Sequence, residues 1–168
     1  GITAPVVIER SYDDADAEDL QIKAGADAGI LFLDGLADGL MLNAPALPQD
    51  GVLSTAFGVL QASRVRFTKT EYISCPGCGR TLFDLQTVTA QIKARTSHLK
   101  ELKIGIMGCI VNGRGEMADA DYGYVGAGVG RIALYRGKVC VGRGIQEAEA
   151  VEHIRQLIKT DQERGQKK

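Results

Sequence analysis

Ser74-Cys75-Pro76-Gly77-Cys78-Gly79-Arg80-Thr81 and, further along, Gly105-Ile106-Met107-Gly108-Cys109-Ile110-Val111-Asn112-Gly113-Arg114-Gly115-Glu116 hold three of the four cysteines. A Cys-x-x-Cys pair turns two thiolates toward one centre from a single tight turn. Pro76 and Gly77 suit that turn, because proline fixes φ and glycine tolerates positive φ. Cys109 follows the apolar run Ile104, Ile106 and Met107, which reads as a buried strand. Cys109 is therefore expected at a strand end, where a sheet presents its functional loops.

Three thiolates and a spare carboxylate point first to an iron–sulfur cluster, since soft thiolates select zinc or iron–sulfur and clusters usually take four ligands. No fourth cysteine lies close by. Glu116, after two glycines that can fold the chain back, is the natural fourth ligand. A carboxylate on iron is more labile than a thiolate and leaves one iron open to substrate. A structural zinc site and a thioredoxin-like dithiol stay open on spacing alone. Closed zinc sites favour Cys or His as the fourth ligand, and neither His98 nor His153 has the spacing. The dithiol reading leaves Cys109 and the run from Asn112 to Glu116 without a role.

Two segments carry a family resemblance: Ile73-Ser74-Cys75-Pro76-x-Cys78-Gly79-Arg80-Thr81-Leu82-Phe83-Asp84, and Met107 through Asp121 with its Gly-Cys-Ile-Val-Asn-Gly-x-Gly-Glu core. Both resemble 4-hydroxy-3-methylbut-2-enyl diphosphate synthase, in particular the C-terminal part of its larger three-domain form. The resemblance runs from about Val52 to Ile158 and is fainter before that. It implies a [4Fe–4S] cluster on Cys75, Cys78, Cys109 and Glu116. Asn112 would tune the cluster or the bound substrate oxygen, with its turn-forming role in Asn-Gly as the equal alternative. It also implies a cyclic diphosphate substrate, bound with an upstream barrel domain, and flavodoxin or ferredoxin as electron donor. The reaction so implied is the two-electron opening of 2-C-methyl-erythritol 2,4-cyclodiphosphate to the linear allylic diphosphate. The fragment alone is expected to bind no cyclodiphosphate. Arg114 stands where the family usually has proline. Rivals from other classes are an electron-transfer module with a fully ligated cluster and a structural zinc domain.

The 168 residues carry 45% hydrophobic and 24% charged side chains and a net charge of −1. That balance offers no basic footprint for nucleic acid, and no apolar run approaches the ~20 residues of a membrane span. Four cysteines without a disulfide-like framework fit a reducing cytosol. The start Gly1-Ile2-Thr3 reads as that of a fragment or processed chain.

Along the chain, Pro5 to Arg10 reads as a strand and Asp16 as the N-cap of a helix from Ala17 to about Ala26. Ile30–Leu33 and Gly39–Leu42 read as two buried strands. Asp34 and Asp38 between them are turn residues rather than metal ligands. Leu53, Ala56, Phe57 and Leu60 mark an amphipathic helix ending near Arg64. Arg64, Arg66 and Lys69 form a solvated linker, with the domain boundary between Arg66 and Thr70. Residues 1–68 are thus expected to be the α/β tail of a preceding domain, and 69–168 the cluster domain.

In the second part, Asp84 caps a helix with Leu85, Val88, Ile92 and Leu99 inward, and Lys103–Gly108 is the next strand. Tyr122–Gly126, Arg131–Tyr135 and Val139–Val141 follow as strands. Gly126-Ala127-Gly128-Val129-Gly130 is a hairpin loop, not a dinucleotide fingerprint, because no helix follows it. Val151, Ile154, Leu157 and Ile158 line a closing helix, and Arg164–Lys168 is expected to be disordered. The result is a mixed-sheet α/β sandwich, in line with a resemblance to the iron–sulfur half of sulfite and nitrite reductases. The sulfurs of Cys75, Cys78 and Cys109 should converge at one sheet edge, with Glu116 displaced by a loop swing. Cys140 should lie elsewhere, as a small buried hydrophobe.

Overall fold

Asp16 and Asp84 open two crossover helices, and each crossover sets one strand parallel to its neighbour. The Asp16 carboxylate accepts from the Glu18 and Asp19 amides, and Asp84 accepts from the Thr87 amide. Each cap satisfies donors that a helix start leaves unpaired. A computed structural model describes residues 4–13 and 15–165, with the backbone alone of Asn112 and Arg114. The chain divides into two compact units between Thr68 and Lys69.

In the first unit, β1 (Val7–Ser11) and β2 (Gly39–Asn43) pair in parallel, joined by α1 (Ala17–Leu33) and followed by α2 (Gln49–Ala62). Ile8, Leu20, Ala24, Ala28, Phe32 and Val59 are buried together, while Val7 and Met41 stay exposed. Two expectations change here. Ile30–Leu33 is the last turn of α1, not a strand, because adjacent parallel strands need a long crossover and this helix supplies it. The buried face of α2 is Val52, Thr55 and Val59. Leu53, expected inward, is 53% exposed, so the helix is turned by one residue.

The second unit is a five-stranded sheet in the order β3-β4-β5-β6-β7. β3 (Glu71–Ser74), β4 (Lys103–Met107) and β5 (Tyr122–Gly128) run parallel, and β6 (Arg131–Arg136) and β7 (Val139–Gln146) return antiparallel. Helices α3 (Leu85–Thr96) and α5 (Glu147–Glu163) cover one face, burying Ile92, Ile104, Ile106, Tyr124, Ile132 and Ile154. This is the mixed-sheet α/β arrangement that the order of elements predicts. The hairpin at 127–130 joins β5 to β6, with a bulge between Gly126 and Gly128.

The other face carries an element that reads in the sequence as a loop. Ile110–Glu116 is a short helix, α4, with Cys109 at its N-cap. Its anchor is Met117, which sits over two glycines of neighbouring strands. A Cβ on Gly105 would lie 2.7 Å from the Met117 Cβ, and one on Gly123 would lie 2.6 Å from its sulfur. At the end of α5 the Arg164 amide donates to Thr160 and the Gly165 amide to Gln162. These two residues form an ordered cap instead of a loose tail, and 166–168 lie outside the described residues.

Candidate metal centre

Adjacent parallel strands deliver two of the cysteines to one place. Cys75 is the first residue after β3, and Cys109 the second after β4. The Cys75 amide donates to the Ile106 carbonyl at 3.3 Å, and the Gly108 amide donates to Cys75 Sγ at 3.2 Å. Cys78 comes from the turn after Cys75. Gly77 adopts φ of +78° there, a conformation that glycine takes without strain. The turn is then latched twice: the Thr81 amide donates to the Cys78 carbonyl at 2.9 Å, and the Cys78 amide donates to Thr81 Oγ1 at 3.0 Å. The Leu82 amide, bonded to the Gly108 carbonyl at 3.1 Å, ties the far end of this loop to the exit of β4.

The three thiols line one cavity of about 70 Å³, together with Pro76, Gly77, Arg80, Thr81 and Met107. All are free cysteines; Cys109 is buried, Cys75 half-buried and Cys78 exposed. The backbone N–H of Arg80 and then its guanidinium hold the Cys78 thiol below its usual range. The same guanidinium interacts with Cys78 most strongly and with Cys109 as well. Amide and cationic donors around sulfur are the surroundings that stabilise thiolate ligands.

Among the described residues, no three His, Cys, Asp or Glu side chains are gathered as for a single metal ion. A cluster asks for something different, because each thiolate binds its own iron around a core. Three free thiols on one cavity, with an N–H already on Cys75, fit three corners of such a core. His98 and His153 are not on this cavity. His98 borders a cleft with Arg136 and Asp161, and His153 belongs to α5.

Glu116 does not line the thiol cavity. It is exposed at the end of α4, and seven helical residues place it about 10 Å along the axis from Cys109. A short helix stands where a loop was expected, with Glu116 as its last residue. The Asn112 side chain lies outside the described residues. Cys140 is on β7, off the cavity, and is half-buried rather than buried, its thiol donating to the Gly142 carbonyl at 3.4 Å. The sequence reading gave no role to Arg80, Thr81 or Gly108. The signal was present: a polar Gly-Arg-Thr directly after Cys-x-x-Cys, and a glycine directly before Cys109.

Residues 71–160 match the GcpE protein C-terminal domain. The chain belongs to this family. It is 62% identical to the 4-hydroxy-3-methylbut-2-en-1-yl diphosphate synthase (flavodoxin) of Bacteroides thetaiotaomicron, over 96% of this chain and 26% of that protein. The synthase (flavodoxin) of Porphyromonas gingivalis is 61% identical over 95% of this chain and 27% of its own length. The chloroplastic synthase (ferredoxin) of Arabidopsis thaliana is 57% identical over 84% of this chain and 19% of its own length. The chain therefore spans about a quarter of the bacterial relatives it matches. No helix among the described residues is long and apolar enough to cross a membrane.

Proposed function

We propose that this chain is the C-terminal, cluster-bearing part of a 4-hydroxy-3-methylbut-2-en-1-yl diphosphate synthase working in a reducing cytosol. Residues 69–168 are the cluster domain in this reading, and residues 1–68 the end of a preceding α/β domain. The observation that carries it is the meeting of Cys75, Cys78 and Cys109 on one cavity at the exits of β3 and β4. The identity to synthases from several organisms supports it.

These three cysteines would hold a [4Fe–4S] cluster, with Glu116 as fourth and exchangeable ligand. When bound, the cluster supplies electrons singly and a Lewis-acidic iron. The balance of the reaction is one cyclodiphosphate, two electrons and two protons giving the linear allylic diphosphate and one water. The electrons come from a flavodoxin or ferredoxin, as the relatives' names indicate. This chain's own residues shape the site. The Gly108 amide orients Cys75, the Thr81 latch holds Cys78, and burial of Cys109 keeps water from that side. Bringing Glu116 to the cavity requires α4 to open, which its two internal glycines favour. Asn112, on the same segment, is the residue that would tune the cluster or the substrate oxygen in this reading. The cyclic diphosphate needs cationic or helix-end contacts beyond this chain, which the upstream barrel domain would supply.

The test is anaerobic iron and sulfide analysis with electron paramagnetic resonance on the full-length protein. Cys75→Ser, Cys78→Ser and Cys109→Ser should each lose the cluster, and Cys140→Ser should keep it. Zinc in place of iron, or a retained cluster in all three variants, would overturn the assignment. Glu116→Cys should keep the cluster and lose turnover. Full turnover in that variant would favour an electron-transfer module instead.

A further inference from the structure

Besides the thiols, the described residues lining the cysteine cavity include one charged side chain, Arg80. Its side chain is exposed, and the backbone that carries it is held by the loop. The Cys78–Thr81 latch fixes the chain on either side of it. The Leu82–Gly108 hydrogen bond pins the next residue but one to β4. Thr81 is pressed against Gly108 so closely that a Cβ there would stand 2.8 Å from the threonine side chain. Arg80 thus lines the same cavity as Cys78 and Cys109, which belong to different segments.

Three thiolates bring three negative charges to the cavity, and each electron delivered adds one more. No carboxylate lines the cavity among the described residues. With Glu116 drawn in as fourth ligand the negative charge grows further, and Arg80 is the one cation among the described lining residues to offset it. A guanidinium keeps its charge at every physiological pH and offers a fork of donors to more than one sulfur. A fixed positive charge beside a redox centre stabilises its more negative, reduced state. Charge and hydrogen bonds to sulfur are the levers by which a protein sets a cluster's potential.

We propose that Arg80 sets the reduction potential of the cluster held by Cys75, Cys78 and Cys109, raising it so that the electron donor can reduce it. This rests on the cluster reading above, which metal analysis decides independently of the potential. Arg80 acts on the cluster and is not needed to assemble it.

The experiment uses the full-length protein reconstituted anaerobically, as wild type, Arg80→Lys and Arg80→Gln. Iron and sulfide content is measured first. Midpoint potentials then come from redox titrations followed by electron paramagnetic resonance, at low and high salt. All three proteins should hold the same cluster. Arg80→Gln should titrate at a more negative potential than wild type, and Arg80→Lys should fall between the two. The gap should narrow in high salt, because Cys78 and its surroundings are open to solvent. Equal potentials in wild type and Arg80→Gln would overturn the proposal, as would a lysine variant no different from glutamine. An unchanged potential with a raised KM for the cyclodiphosphate would overturn it by assigning Arg80 to the substrate. A variant unable to hold the cluster would overturn it by making Arg80 an assembly residue. Absence of iron from the wild type would defeat the cluster reading itself.

Discussion

The Gly108 amide and the Cys75 sulfur are joined by a 3.2 Å hydrogen bond between the exits of two neighbouring parallel strands. Glycine is required at that position by its other neighbour. A Cβ on residue 108 would stand 2.8 Å from both Thr81 Cγ2 and Thr81 Oγ1, and Thr81 is the residue that latches Cys78. Gly108→Ala should therefore leave the sheet folded while shifting the Cys78 turn, at a cost of about 1–3 kcal/mol. Iron bound per chain should drop with it. Gly126→Ala offers the contrast. Its Cβ would lie 2.3 Å from the Gly108 carbonyl oxygen, a backbone atom with nowhere to go. Thermal melts should place Gly126→Ala at or beyond the top of the same ~1–3 kcal/mol range. A Gly126→Ala protein as stable as wild type would contradict the close approach of β5 to the site.

Gly115 tests the role of α4. It is helical, and a Cβ there meets nothing within 4 Å. Gly115→Ala should therefore strengthen the helix by about 0.5–1 kcal/mol. A firmer α4 holds Glu116 away from the cavity. The cluster-free protein should melt slightly higher, while the reconstituted protein should retain less cluster and turn over more slowly. Unchanged retention and turnover would show that Glu116 does not need α4 to open.

The mixed α/β class of the second unit and the cysteine turn were readable because local and tertiary signals agree there. Asp16 and Asp84 are caps in the sequence and caps in the fold. The readings that changed are those where tertiary context overrides a local signal. Ile30-Leu31-Phe32-Leu33 is a short apolar run, which periodicity cannot assign to strand or helix. The parallel pairing of β1 with β2 decides it, and no local feature announces that pairing. Asn112, Gly113 and Gly115 are poor helix formers, yet α4 forms because Met117 fits over Gly105 and Gly123. Those three residues lie on separate elements, so their fit is invisible along the chain. Arg80 escaped notice for a related reason: its meaning depends on Cys109, which arrives from another strand.

Tyr124 is fully buried on β5, and its hydroxyl has no hydrogen-bond partner among the described residues. The ring packs edge-on against Phe83 at 5.2 Å. Tyr124→Phe keeps that contact and removes the unpaired hydroxyl. Stability should hold or rise, by about 1 kcal/mol, as read from denaturant midpoints. A loss of that size would mean the hydroxyl is bonded in solution.

Tyr122, two residues earlier, faces a different environment and gives the protein an alkaline dependence. Its hydroxyl donates to Asp161 Oδ2 at 3.2 Å. Asp161 is 1% exposed and also accepts from Arg136 Nε and Nη2, each at 2.6 Å. Burial first, and then the Asp161 carboxylate, push the Tyr122 hydroxyl up to about 12. In the unfolded chain it ionises near ~10. Between those values the unfolded state has released a proton that the folded state still holds. Stability from this residue is thus fully present below the unfolded value and is lost as pH rises through the folded one. Tyr122→Phe removes that dependence. The stability difference between wild type and Tyr122→Phe, taken from urea midpoints at successive pH values, should shrink across this alkaline window and be constant below it. Parallel profiles for the two proteins would show that Tyr122 ionises alike in both states and would dismiss the Asp161 contact as its cause.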